Sequence, residues 1–284
     1  MQYYIIIPAH NEALFLSDTL HSIVNQTLLP KKVVVVNDNS TDNTEGIIDR
    51  FIATYPFIVK LNTTSSSAHM PGSKVVNAFN KGLQLLDSRY DFIVKLDADI
   101  ILPHHYFEKI ASIFQTSPKI GIAGGFAYEE DITGTWKLNH PMDKDHVRGA
   151  FKAYTKNCFT AIGGLRNAMG WDTVDELLAQ YHGFNISTDH TLHAKHLRPL
   201  GKAYNPKAKL LQGKAMFTMR YGFWITLIAS LKMAAKQGKP QAFWDNIRGF
   251  LKAKKEKKPY LVNIEEGDFI RRLRWKKIKA KLFR

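Results

Sequence analysis

Residues 3–12 read Tyr-Tyr-Ile-Ile-Ile-Pro-Ala-His-Asn-Glu, a short β-branched run that meets a proline and turns polar at once. Similar apolar runs recur at 32–36, 57–61, 92–96 and 120–123. Between them, apolar residues fall at helical spacing, as in Leu14, Leu16, Leu20, Ile23 and Val24, and again in Val75, Val76, Phe79, Leu83 and Leu86. Strands alternating with amphipathic helices predict βαβ units, a mainly parallel sheet flanked by helices, and so an α/β fold. Ser40-Thr41-Asp42 and Ser73 stand where helix N-caps are needed.

In an open parallel sheet, ligands collect beyond the carboxyl ends of the strands. The ends here carry Pro8-Ala9-His10-Asn11-Glu12, Asn37-Asp38-Asn39-Ser40 and Asp97-Ala98-Asp99. Two carboxylates two residues apart at a strand end can hold a divalent cation against a diphosphate, although the same pattern also suits a solvated turn or a helix cap. Asp38 lies in a turn-forming run, and its carboxylate can accept from a nucleobase N–H. No Gly-x-Gly-x-x-Gly follows the first strand and no Gly-x-x-x-x-Gly-Lys-Ser/Thr loop occurs, which argues against a nicotinamide fold and a P-loop.

Read together, Ile-Ile-Ile-Pro-Ala-His-Asn-Glu at 5–12, Val-Val-Val-Asn-Asp-Asn-Ser-Thr-Asp-Asn-Thr at 34–44 and Lys-Leu-Asp-Ala-Asp at 95–99 resemble the family 2 glycosyltransferases of the GT-A fold, over roughly residues 3–201. The resemblance implies that Pro8, Ala9, Asn11 and Glu12 line a nucleoside pocket and that Asp38 meets the base. It places Asp97 and Ala98 by the ribose and sugar, and makes Asp99 a ligand to Mn²⁺ or Mg²⁺ on the diphosphate. Lys74, in the segment 72–82 that looks like the family's third-strand helix, becomes either a nucleotide contact or a solvated helix-start lysine.

Further along, Gly163 and Gly164 in the segment 158–165 resemble the family's acceptor-side glycines, or form an ordinary turn. The Glu-Asp pair that usually follows is replaced by Gly170-Trp171-Asp172-Thr173-Val174-Asp175-Glu176. Counting back from Gly183 puts Asp172 at the general base, with Asp175 in reserve and Glu176 as a first-turn acid. His190, His193 and His196 are three apart, which a helix would gather near one face and a strand would split. The block His196-Leu197-Arg198 resembles the family's late His-x-Arg, which implies that His196 is a metal or phosphate ligand, the alternative being a plain surface histidine.

The net charge of +15 is uneven. Residues 202–284 hold 22 Lys/Arg against 5 Asp/Glu, so the excess lies wholly in this last third and marks a junction near residue 202. We expect a GT-A domain over 1–201, donor side to about residue 100 and acceptor side beyond, then a basic helical extension over 202–284. Its aromatics and cations suit an anionic membrane surface, with Phe269, Ile270, Leu273, Ile278 and Leu282 as the apolar stripe, or a single-stranded nucleic acid. The stripe favours the membrane, and nucleic acid is not expected.

The sequence shows no signal-peptide pattern and no apolar run near the roughly 20 residues that span a bilayer. Its single cysteine, Cys158, suits a reducing compartment. The expected localisation is therefore cytoplasmic, peripheral on the inner face of the cell membrane. The resulting expectation is an inverting, metal-dependent enzyme that moves a sugar from a nucleoside diphosphate, UDP favoured, to a saccharide or lipid-linked acceptor in cell-surface glycan synthesis. A nucleotidyltransferase and a nucleic-acid-binding protein are the alternatives.

Overall fold

The computed structural model describes residues 1–64, 72–139, 146–198 and 210–282. The junction expected near residue 202 lies outside the described residues, as does Phe283, and nothing is described of the Leu282 side chain. Strands β1 (Tyr3–Ala9), β2 (Lys32–Asp38), β3 (Ile58–Thr63) and β4 (Phe92–Leu96) form where the β-branched runs predict them. They pair in parallel in the order β3-β2-β1-β4. The side chains of Tyr3 to Ile7, Val33 to Val36 and Phe92 to Val94 are buried, as continuous apolar runs require when helices cover both sheet faces. Tyr3 stacks on Phe92 across the pair, with ring centroids 4.6 Å apart.

Helices α1 (Leu16–Val24), α2 (Thr44–Thr54) and α3 (Ser73–Leu83) are the crossovers. α1 buries Leu16, Leu20 and Ile23, spaced at i, i+4 and i+7, whereas Leu14 lies outside the helix and is exposed. Asp42 accepts from the Thr44 backbone N–H from one position before the N-cap of α2, which is Asn43 and makes no side-chain capping bond. Ser73 is not a cap: Gly72 takes that place at a φ of +81°, with α3 starting close to the backbone of Ala168 and Met169.

Beyond β4 the sheet departs from the expected pattern. After the short β5 (Ile100–Ile101) and α4 (Tyr106–Thr116) come β6 (Ile120–Glu130), β7 (Trp136–Leu138), β8 (Phe151–Thr155), α5 (Lys156–Ala161), α6 (Trp171–Tyr181) and β9 (Asn185–His196). β8 inserts antiparallel between β4 and β6, and β9 lies parallel to β6. The histidine trio is therefore on a strand and is split: His193 is exposed, while His196 is buried beside Leu192 and Ala194 of the alternate register.

The basic segment folds into α7 (Leu211–Thr218), α8 (Phe223–Gln237), α9 (Pro240–Lys255) and α10 (Ile264–Leu282). α7 and α9 cross closely enough that a Cβ on Gly213 would run into the Asn246 carbonyl and one on Gly249 into that of Leu210. The apolar stripe of α10 is turned inward. Ile270 is fully buried, Phe269 packs edge-on against Tyr181 of α6, and Leu273 joins the core. Exposed apolar side chains are spread over three helices: Trp244 and Leu251 on α9, Ile264 and Trp275 on α10, and on α8 Trp224, Ile228 and Leu231, spaced at i, i+4 and i+7. No helix among the described residues is long and apolar enough to cross a membrane.

Candidate active site

Three strand ends converge on one cleft of about 500 Å³. Pro8 and Ala9 from β1, Asp38 from β2, Lys74 and Ala78 from α3, and Asp97, Ala98 and Asp99 beyond β4 line it, together with Glu12. Asn11 does not. It is exposed with a φ of +55°, its Oδ1 accepts from the Thr41 N–H at 2.7 Å, and its own N–H donates to Ser40. That residue ties the β1 loop to the β2 loop and shapes the cleft from behind.

His10 and Arg198 also line the cleft. His10 Nδ1 lies 2.6 Å from the Asp38 carbonyl oxygen. Arg198 pairs with the Glu12 carboxylate, and its Nε is 3.3 Å from Asp99 Oδ2. It comes two residues after His196, just past the end of β9, and this His-x-Arg spacing was the signal that could have found it.

The Asp97–Asp99 turn is held from below. Thr19, fully buried on α1, donates its hydroxyl to the Ala98 carbonyl and accepts from the Ile100 N–H. β5 then pairs antiparallel with the end of β9, Ile100 opposite His196, which brings His196 Nε2 within 3.3 Å of Asp99 Oδ2. Burial pushes the Asp99 carboxyl up, but the His196 imidazole and the Arg198 guanidinium outweigh it and hold the group below its usual range. Burial likewise raises Asp97 above its ordinary value, and the paired Lys95 ammonium only partly offsets this. Glu12 is pushed up to about 7 by burial despite Arg198.

Among the described residues, no three His, Cys, Asp or Glu side chains are gathered as a metal site. The donor set that does exist is the Asp99 carboxylate facing the His196 imidazole, whose buried Nδ1 makes no hydrogen bond and lies 3.7 Å from Glu129 Oε1.

A second cavity, of about 420 Å³, shares Asp97 and Val75 with the first and is walled by Lys95, His146, Arg148, Trp171, Asp172 and His196. Asp172 thus sits on the neighbour of the strand-end cleft, in the first turn of α6. Asp175 is not there. It is 1% exposed, its carboxylate lies 3.1 and 3.3 Å from Lys152 Nζ, and it accepts a short hydrogen bond from the Tyr154 hydroxyl. Glu176 accepts from the same Lys152 at 2.9 Å, from the Val147 N–H at 2.8 Å and meets His146 Nδ1 at 2.9 Å. Lys152 also donates to the Asp172 carbonyl at 2.6 Å, so one buried lysine on β8 fixes the start of α6 and with it Asp172.

Lys152 lies directly opposite Lys95 across the β4–β8 pair, a like-charge arrangement that would be unfavourable alone. Each has its own counter-ion, and the Trp171 ring lies between, 5.3 Å from Lys95 Nζ and 6.0 Å from Lys152 Nζ. Gly163 and Gly164 line none of these cavities. Their φ values of +70° and +73° terminate α5, with N–H groups bonded to the carbonyls of Thr160 and Phe159.

The glycosyl transferase family 2 model matches residues 4–176, and the chain belongs to that family. It is 28% identical over 121 residues to poly-β-1,6-N-acetyl-D-glucosamine synthase of Staphylococcus epidermidis, a match covering 42% of this chain and 27% of that one. The chain therefore spans only about a quarter of that relative's length. Its fold is that of Staphylococcus aureus TarS 1–349, solved with UDP-GlcNAc, at a TM-score of 0.58 and 17% identity over 78% of this chain and 65% of that one. The mannosyltransferase PcManGT of Pyrobaculum calidifontis, solved with GDP-Man and Mn²⁺, superposes with a TM-score of 0.58 at 17% identity, covering 89% of this chain and 75% of that one. Both likenesses define a GT-A fold.

Proposed function

We propose that the chain transfers a sugar from a nucleoside diphosphate donor to an acceptor hydroxyl with inversion. The observation that carries this is the placement of Asp172 on a cavity that shares Asp97 with the cleft at the strand ends. Asp38 reads the base from the end of β2. Pro8, Ala9 and Ala98 shape the nucleoside pocket with small or rigid surfaces. Lys74 and Arg198 face the diphosphate from opposite walls, and Asp97 orients the sugar.

The residues fit a divalent cation. A carboxylate oxygen and an imidazole nitrogen face each other at Asp99 and His196, and the diphosphate and water can complete the shell. When bound, the cation supplies positive charge to the departing diphosphate. Asp172 takes the proton of the acceptor hydroxyl as its oxygen attacks the anomeric carbon, on the face opposite the leaving group. Asp175, sealed against Lys152 and Tyr154, holds α6 rather than the substrate.

On this proposal residues 1–201 form the catalytic domain, and 202–284 form an extension that rests on an anionic membrane. The supporting feature is α8, whose exposed Trp224, Ile228 and Leu231 are accompanied by Lys232, Lys236 and Lys239. This is the side of the molecule on which a lipid-linked acceptor would be met.

The test is a thermal-shift panel of UDP-, GDP- and dTDP-sugars with and without Mn²⁺ or Mg²⁺, on the wild type and on Asp99→Ala. A donor that stabilises only with metal, and an Asp99→Ala chain that has lost this response, are expected. No response of the wild type to any donor would sink the proposal.

A further inference from the structure

A third cavity, of about 600 Å³, lies between the start of α6 and the helices of the basic extension. Its volume is within the roughly 300–1,000 Å³ of small-ligand pockets. Its walls are apolar and soft: Met216 and Met219 of the α7 end and Ile225 and Ala229 of α8, the first three almost wholly buried. Methionine walls adapt to a flexible chain better than branched ones do.

Two further features give this apolar space a direction. Asp172 lines it as well as the neighbouring cavity that shares Asp97 with the donor cleft, so the three spaces run in series with Asp172 at the junction. The cations Lys232, Arg274 and Lys277 line it too, and Asp172 is the one acid among its lining residues. Arg274 donates to the Tyr221 hydroxyl at 2.7 Å, while its Nε is buried without a partner. Ile228, which is 37% exposed on the Trp224–Leu231 face of α8, also lines the cavity, so its mouth opens on the apolar, lysine-bearing surface of that helix.

We infer that this cavity is the acceptor site and that its ligand is an anionic lipid carrying a phosphate-linked head. The apolar chain lies along Met216, Met219 and Ile225, the phosphate meets Arg274 and its neighbouring lysines, and the accepting hydroxyl of the head reaches Asp172. The inference rests on the transferase proposal for what happens at that hydroxyl. There, the acceptor oxygen forms its bond to the anomeric carbon as the bond from that carbon to the diphosphate oxygen breaks. The nucleoside diphosphate leaves with the electron pair, and Asp172 holds the proton.

Calorimetric titration of the full chain with dodecyl phosphate, dodecyl maltoside and inorganic phosphate, all as monomers in solution, tests the site. Dodecyl phosphate is expected to bind about tenfold or more tighter than the maltoside, as charge-assisted contacts to Arg274 require, with no measurable binding of inorganic phosphate. Ala229→Trp, which fills the cavity, should weaken both alkyl probes by about tenfold or more. Arg274→Gln should weaken dodecyl phosphate alone and so reduce its advantage over the maltoside.

Equal binding of the two alkyl probes, or affinities that neither variant moves, would overturn the inference. The latter outcome would point to adsorption on the exposed face of α8. Nucleotide binding measured on the same samples reports on the donor cleft separately. A chain that takes the amphiphile as described but no nucleotide would uphold the cavity and overturn the donor proposal.

Discussion

The strand-end cleft and the wall around Asp172 are built in opposite ways. At the cleft, Pro8, Asp38 and Asp97 each come from the end of a parallel strand, so the sheet alone delivers them to one place. At the other wall, Asp172 is placed by a buried lysine on β8 that grips the first turn of α6, and the cavity beyond it is closed by helices from the last quarter of the chain. The difference teaches that a site made of strand ends tolerates change in its surroundings, while one made of a helix start depends on whatever anchors that helix.

The sharpest test of this contrast compares two acids three residues apart. Asp172→Asn is expected to lower kcat by about 10²- to 10⁴-fold, the usual worth of a general base, while nucleotide affinity and denaturation midpoint stay as in the wild type. The comparison breaks if Asp175→Asn reproduces that loss of turnover in a chain of unchanged stability.

Next comes Lys152→Met, which leaves Asp175 and Glu176 buried without their shared cation. Breaking a buried pair from one side costs about 3–5 kcal/mol, read from urea denaturation. Asp99→Ala, whose partner Arg198 is half exposed, should cost less stability than that, and a loss under Lys152→Met no greater than under Asp99→Ala would refute the anchoring role.

The smallest effect concerns pH. Glu176 bonds the His146 imidazolium and holds that group above its ordinary 6.5 in the folded chain. Its contribution is therefore full below about pH 6.5 and is lost as pH rises through the folded value. Because His146 is partly exposed, the effect is a few tenths of a kcal/mol at most. The stability difference between wild type and His146→Asn should narrow from pH 6 to pH 8.5, and a difference that widens over that range would contradict the assignment.

Legibility in the sequence followed the same divide. The four parallel strands, their crossover helices and the acids at their ends were readable, because each is a local pattern of β-branched run, turn and helix. Asp99 and His196 were both readable as metal ligands through the resemblance, but the strand pairing that brings them together was not, since it depends on two residues of β5 meeting the end of β9. Arg198 was hidden beside His196 although the i, i+2 spacing marked it. Lys95 and Lys152 carry no sequence signal as buried cations, because only the fold shows that each has its own carboxylate. Gly163 and Gly164 looked like an acceptor surface and proved to be a helix stop.

The α10 stripe illustrates the remaining gap. Its apolar spacing was correct, but periodicity says that a helix has an apolar face and nothing about what that face meets. Core packing of Ile270 and Leu273 claimed it, and an exposed i, i+4, i+7 apolar row stands on α8. By itself the sequence determined the family, the parallel half of the sheet and the polar strand ends that meet in one cleft, because these follow from short-range chain geometry. Only the tertiary structure decided which acid stands at the cleft, which is sealed in the core, and where the basic helices leave an apolar cavity, because burial and counter-charge come from residues tens to hundreds of positions away.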